Sequence, residues 1–198
     1  MKVFGVSGMP GSGKGVVSRT AQKMGVKIIR MGDVVRDEAE IRGQEIGETA
    51  VSLRKEHGDY VVAEKCVEKI KKNYAESATD KITFMIEGIR SPYEIEIFQN
   101  NFSNFTVVSV FSSPKTRFRR LKRRKRSDDS EEYLEFQRRD KRELGFGIGE
   151  VISMSDYLIV NEGPLWRFKN QSKRIVKQQI DSKNNKNNNR ENNYGILS

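Results

Sequence analysis

Apolar residues along this chain fall into two spacings. Short, mostly unbroken apolar runs occupy residues 1–7, 26–31, 82–87, 105–111 and 156–160. Such runs predict strands buried on both faces. Between them the apolar positions recur at helical spacing. Val16, Val17, Thr20, Ala21 and Met24 mark a first helix that Gly25 ends. Asp33 is expected to cap a second helix carrying Val34, Val35, Ala39 and Ile41, which Gly43 stops. Residues 48–57 form a third pattern, and Asp59 is expected to cap a long helix reaching Tyr74. Residues 93–100 make a short helix. Ser113-Pro114 opens another that residues 127–130 break, and residues 131–144 resume it. The glycines at 145, 147 and 149 read as a flexible joint and as hinge material, and residues 165–180 give a last helix.

Strand and helix alternate, which predicts an α/β fold: a five-stranded parallel sheet in a three-layer α/β/α arrangement. Ligands of such sheets collect at the carboxyl ends of the strands. The loops that matter therefore begin at Gly8, Gly32, Gly88, Ser112 and Asn161. Residues 1–180 are expected to form one domain, with small helices over 33–75 and a short basic lid over 122–145. Seven of the last eighteen residues are asparagine, so 181–198 is expected to be a disordered tail.

Composition narrows the setting. The 198 residues are 35% hydrophobic and 32% charged, and no apolar run is long enough for a membrane span. Met1 leads straight into a strand pattern, so neither a signal peptide nor a membrane partner is expected. Cys66 is the single cysteine and His57 the single histidine. No internal disulfide can form, and a zinc site or histidine catalysis is disfavoured. A cytoplasmic location is the expectation. The net charge is +10, and residues 115–126 hold nine basic side chains among twelve, with no acid. That cluster is a phosphate clamp, a nucleic-acid surface or a solvated helix face.

The chemistry is densest at the amino terminus. Gly8-Met9-Pro10-Gly11-Ser12-Gly13-Lys14-Gly15 follows a strand and opens a helix. Glycines let the backbone curl so that successive N–H groups point inward, and the helix start adds positive potential. This is the arrangement that holds a nucleoside triphosphate, with Lys14 reaching the β- and γ-phosphates. Gly15 stands where most such loops carry a magnesium-binding Ser or Thr. The loops after the second and third strands each supply one arginine, Arg36 and Arg90. Two guanidiniums at the sheet mouth can grip a phosphate bidentately.

These motifs resemble those of adenylate kinases, in G-x-P-G-x-G-K-G and in Met31-Gly32-Asp33-Val34-Val35-Arg36. Glu87-Gly88-Ile89-Arg90 and Arg126-Ser127-Asp128-Asp129 extend the likeness. Met31 replaces the family's threonine, and the loop after the third strand is shorter. The resemblance implies the nucleoside monophosphate kinase branch of the P-loop NTPase fold. It places ATP on residues 8–15 and the acceptor's phosphate on Asp33, Arg36 and Arg90. Glu87 would orient Mg²⁺ through water. Arg120, Arg124, Arg126 and Arg139 would be lid candidates for the transferring phosphoryl group. Arg139 lies about 60° from Phe136 around a helix and could turn inward with it. Residues 156–163 look like the end of dephospho-CoA kinases, which puts Asn161 beside the adenine. The whole set is similar to an archaeal group of adenylate-kinase-related proteins.

The leading expectation is an ATP- and Mg²⁺-dependent phosphotransferase with a small nucleotide-like acceptor, working as a monomer or homodimer. One alternative is a nucleotide-dependent RNA-binding factor using residues 115–126, where Phe118 is the only interleaved aromatic. Another is a plain ATPase.

Overall fold

The computed structural model describes residues 1–124 and 132–182. Arg126, the Arg126-Ser127-Asp128-Asp129 stretch and the asparagine-rich tail beyond residue 182 lie outside the described residues. The strands are β1 (Lys2–Ser7), β2 (Lys27–Arg30), β3 (Thr83–Ile89), β4 (Thr106–Phe111) and β5 (Tyr157–Val160). They form one sheet in the order β2-β3-β1-β4-β5, with every pair parallel. The helices are α1 (Lys14–Lys23), α2 (Met31–Arg42), α3 (Ile46–His57), α4 (Val61–Ala75), α5 (Pro92–Asn101), α6 (Pro114–Arg124), α7 (Tyr133–Gly145), α8 (Ile148–Ser153) and α9 (Leu165–Asp181).

Side chains of a strand alternate between the two faces of a sheet. Val3, Phe84, Ile86 and Val107 pack beneath Val62, Ile70, Leu53 and Phe98 of the helices α3–α5. Phe4, Val6, Met85, Val108 and Ile159 face the other way, against Val17 and Ala21 of α1 and Phe168, Ile175 and Val176 of α9. Both sheet faces are thus covered, the arrangement that the unbroken apolar runs imply. Among the described residues no helix is long and apolar enough to cross a membrane.

Several local expectations change. Helix α2 starts at Met31 with Arg30 as its N-cap, so Asp33 lies in the first turn rather than at the cap. There its charge still meets the positive end of the helix. Tyr60, not Asp59, precedes α4. Strand β3 runs on through Gly88 to Ile89, past a register shift opposite Val6 and Ser7. The Ser7 hydroxyl donates to the Ile89 carbonyl at 2.7 Å and extends the pairing. The expected joint over 145–149 is instead a helix boundary. Gly145 closes α7, Gly147 caps α8 in the left-handed region, and Gly149 lies inside α8. The buried pair Ile148 and Val151, three residues apart, holds that short helix to the core.

The cysteine lies at full burial in α4, and burial pushes its thiol up to about 12. Only the thiolate is nucleophilic. Cys66 is therefore expected to resist an aryl disulfide reagent in the folded protein and to react only as denaturant unfolds it. Fast stoichiometric labelling without denaturant would contradict this packing.

Candidate active site

The loop between β1 and α1 turns through glycines at positive φ: 143° at Gly8, 80° at Gly11 and 115° at Gly13. Close packing demands glycine at all three besides, a Cβ on Gly11 falling 2.8 Å from the Arg117 carbonyl oxygen. A Cβ on Gly8 would lie 2.4 Å from the Val110 carbonyl oxygen, and one on Gly13 2.4 Å from Asn161 Nδ2. The loop thus rests against the ends of β4 and β5. An internal turn closes it, with the Ser12 amide donating to Met9 O at 3.1 Å. The Ser12 carbonyl accepts from Asn161 Nδ2 at 2.7 Å and from Arg120 Nη1 at 3.3 Å. Arg120 also donates to the Asn161 carbonyl at 2.9 Å and to Ser112 Oγ at 2.9 Å. Asn161 and Arg120, read in the sequence as ligand contacts, both grip the loop's own backbone here.

Lys14 Nζ folds back on the loop and donates to Gly8 O and Met9 O. Burial lowers its pKa to about 8, and the charges of Glu87, Arg90, Glu143 and Arg139 all act on it. All four therefore lie within electrostatic reach of the Lys14 ammonium. Glu87 lies two residues before the end of β3, where it accepts from Ser18 Oγ at 2.5 Å and pairs with Arg30 Nε at 3.3 Å. Among the described residues no three acidic, histidine or cysteine side chains cluster as a metal cage. A lone carboxylate beside a phosphate loop still fits Mg²⁺, which takes one or two carboxylates, substrate phosphates and water.

Arg90 leads out of β3, and its Nε lies 3.1 Å from Oε2 of Glu143, which α7 supplies. The backbone around Arg90 is fixed from below. Its amide and that of Ser91 donate to Glu94 Oε2 at 2.7 Å and 3.3 Å. Glu94 is buried, pairs with Arg54 at 2.8 Å and completes a capping box with Ser91. A cleft of about 1020 Å³ opens between α3 and α7. Arg90, Arg138, Arg139 and Arg142 line one wall together with Glu135 and Glu143, and Glu45, Glu48 and Lys55 line the other. Arg36 and Asp33 pair with each other on the exposed surface of α2 and do not line this cleft. Arg124 ends α6 at the surface.

Arg117, Asp140, Glu143, Ser18 and Arg30 were not singled out in the sequence. Arg117, 3% exposed, forms a fork to Asp140 through Nη1 at 2.8 Å and Nη2 at 2.5 Å. It also donates to Ser112 O at 3.1 Å and Pro10 O at 3.3 Å, and lies over the Phe136 ring. It therefore ties the phosphate loop to α7. Inside a run of nine basic residues nothing marks it except the spacing Arg117–Leu121, one helical turn. Glu143 follows Asp140 by three positions, the same spacing of one face. Ser18 and Arg30 carried no motif at all.

Comparison with known proteins bears on the family and the fold. A family profile described as an AAA domain matches residues 7–135. The UPF0200 protein of Methanothermobacter thermautotrophicus is 61% identical over 178 residues, which is 90% of each chain. That of Pyrococcus furiosus is 43% identical over 185 residues, 90% of this chain and 97% of the relative. Among solved structures, a shikimate kinase from Acinetobacter baumannii in complex with shikimate superposes with a TM-score of 0.56 at 13% identity. It covers 91% of this chain and 93% of its own. A gluconokinase from Sinorhizobium meliloti gives a TM-score of 0.58 at 13% identity, covering 90% and 93%. At such identities the likeness is one of fold, and it is the fold of P-loop kinases. By sequence, this chain belongs to the archaeal UPF0200 family.

Proposed function

We propose that this protein is a phosphotransferase that moves the γ-phosphoryl group of ATP to a small phosphorylated acceptor, a nucleoside monophosphate or a nucleotide-like compound. One observation carries the reading. The charges of Glu87, Arg90, Arg139 and Glu143 all act on Lys14 of the phosphate loop, and three of these, Arg90, Arg139 and Glu143, also line the cleft between α3 and α7.

In this reading the amides of residues 8–15 cradle the triphosphate, and the Lys14 ammonium leaves the Gly8 and Met9 carbonyls for the β- and γ-phosphates. Glu87 would hold Mg²⁺, water ligands completing its shell, and such an ion would supply charge neutralisation on the phosphates. The acceptor lies in the cleft with its phosphate on Arg90, which gives up Glu143 for it. Arg139 faces the transferring group, and Arg138 and Arg142 attract the rest of the anion. The bond between the γ-phosphorus and the β–γ bridging oxygen breaks as a new bond forms to an acceptor phosphate oxygen, and ADP leaves. An ionised phosphate needs no general base, so alignment and positive charge suffice. The exposed Arg36–Asp33 pair has a lesser part.

The experiment is an ADP-release assay with Mg²⁺ and ATP against a panel of nucleoside monophosphates, with products separated by chromatography. ADP release should depend on one acceptor and match its phosphorylation. Equal ADP release without acceptor, surviving Arg90→Ala, would mark a plain ATPase and contradict the proposal. So would no turnover with any acceptor. Arg90→Ala should raise the acceptor KM about 10- to 100-fold, the weight of a charge-assisted phosphate contact. Arg36→Ala should raise it less, and the reverse order would contradict the placement of the acceptor.

A second prediction concerns pH. The Lys14 ammonium has a pKa of about 8 in the free protein, against 10.5 for an ordinary lysine. Bound polyphosphate favours the charged form, so above pH 8 binding must take up a proton. ATP affinity should be level below about pH 8 and fall about tenfold per unit above it. Stability moves the other way: between 8 and 10.5 the unfolded chain holds a proton that the native one releases, so Lys14 makes stability rise with pH. Calorimetric titration at several pH values checks the first, and a level affinity up to pH 10.5 would contradict it.

A further inference from the structure

We propose that Ser18 is the residue through which this protein makes good the hydroxyl missing after Lys14, and that it does so by positioning the metal-facing carboxylate of Glu87. The inference rests on the nucleotide reading above.

Sterics do not force the missing hydroxyl. A Cβ on Gly15 would meet nothing closer than Arg19 Nη1, at an ordinary 3.6 Å, and Gly15 has no positive φ. A serine would fit there, so its absence leaves the function to be met elsewhere. Ser18 lies one helical turn beyond Lys14, on the same face of α1. It is fully buried, and a buried hydroxyl needs a partner. Two acceptors are within reach: Lys14 O at 3.1 Å and Glu87 Oε2 at 2.5 Å. A hydroxyl has one proton to give. The contact at 2.5 Å has the length of a charge-assisted bond to a carboxylate and takes that proton. Ser18 is thus turned from the usual back-bond within its helix toward the end of β3.

Arg30 completes the support. Arg30 and Glu87 are paired in register on the neighbouring strands β2 and β3, and Arg30 Nε lies 3.3 Å from the same Oε2. One carboxylate oxygen is therefore held from two directions, by a hydroxyl of α1 and a guanidinium of β2. Neither contact falls on Oε1. A carboxylate so held has its rotamer fixed before metal and nucleotide arrive. Partners that orient a metal-facing carboxylate in this way carry about 10- to 100-fold in metal affinity when removed. Ser18 touches neither substrate nor metal in this account and is a positioning residue.

The test is Mn²⁺ binding, followed by electron paramagnetic resonance, to the full chain saturated with a non-hydrolysable ATP analogue. Wild type, Ser18→Ala, Ser18→Thr and Glu87→Gln are compared. Ser18→Ala should weaken Mn²⁺ about tenfold while analogue affinity without metal stays within about twofold. Ser18→Thr, which keeps the hydroxyl, should bind Mn²⁺ as wild type does, and Glu87→Gln should lose at least as much as Ser18→Ala. Unchanged Mn²⁺ affinity in Ser18→Ala beside a loss in Glu87→Gln would overturn the role of Ser18 alone. Unchanged affinity in both would remove Glu87 from the metal, and this proposal with it, while the nucleotide reading stands. An analogue that fails to bind before any Mn²⁺ is added would overturn both.

Discussion

The Ser12 carbonyl is the point on which the site depends. The chain reverses over six residues between β1 and α1, and a turn of that kind can take many shapes. Here one shape is selected because its carbonyl is held from outside the turn by Asn161 Nδ2 and Arg120 Nη1. A net contribution of about 1.5–3 kcal/mol is typical of a hydrogen bond to a charged group. Losing the amide would leave a buried carbonyl without its best partner. The loop cannot move without pulling on the ends of β4 and β5, so an anion of the kind proposed would meet a loop already arranged. Such preorganisation removes the ordering cost of binding.

The same economy extends to α7. Two acids one turn apart, Asp140 and Glu143, face the mouth from that helix. Asp140 binds the Arg117 fork, which reaches the Pro10 carbonyl of the loop. Glu143 binds Arg90 at the end of β3. Desolvation makes such pairs weak contributors to stability, yet removing one partner strands a buried charge at about 3–5 kcal/mol. They fix α7 against the loop and leave Arg138, Arg139 and Arg142 along the cleft wall. A helix held in place by buried acids can present cations to a ligand.

Much of this was legible in the chain, for physical reasons that differ by element. Buried parallel strands read plainly because two covered faces force unbroken apolar runs, as in residues 105–111. The phosphate loop read plainly because positive φ admits few residues but glycine. Boundaries were harder: Asp33 looks like a cap, yet the apolar Met31 is drawn into the core and starts the helix three residues earlier than that cap would. Glycines at 145, 147 and 149 suggested a joint, and the burial of Ile148 and Val151 decided otherwise. The deepest gap lay in the charges. In a segment with nine cations among twelve residues, Arg117 in the interior and Arg124 at the surface look alike, because their difference is made by acids and carbonyls far along the sequence. Ser18 was silent for the same reason, since its partner lies 69 residues away.

The proposed function requires a preformed anion cradle at residues 8–15, beside Glu87 and within reach of the arginine-lined cleft. A crystal structure of the full chain with Mg²⁺ and a non-hydrolysable ATP analogue tests it most directly. The account predicts the triphosphate inside the cradle, Lys14 moved from the Gly8 and Met9 carbonyls to the β- and γ-phosphates, and the Ser12 contacts to Asn161 and Arg120 unchanged. An analogue bound elsewhere, or a loop that had to release Asn161 and Arg120 to accept it, would contradict the account.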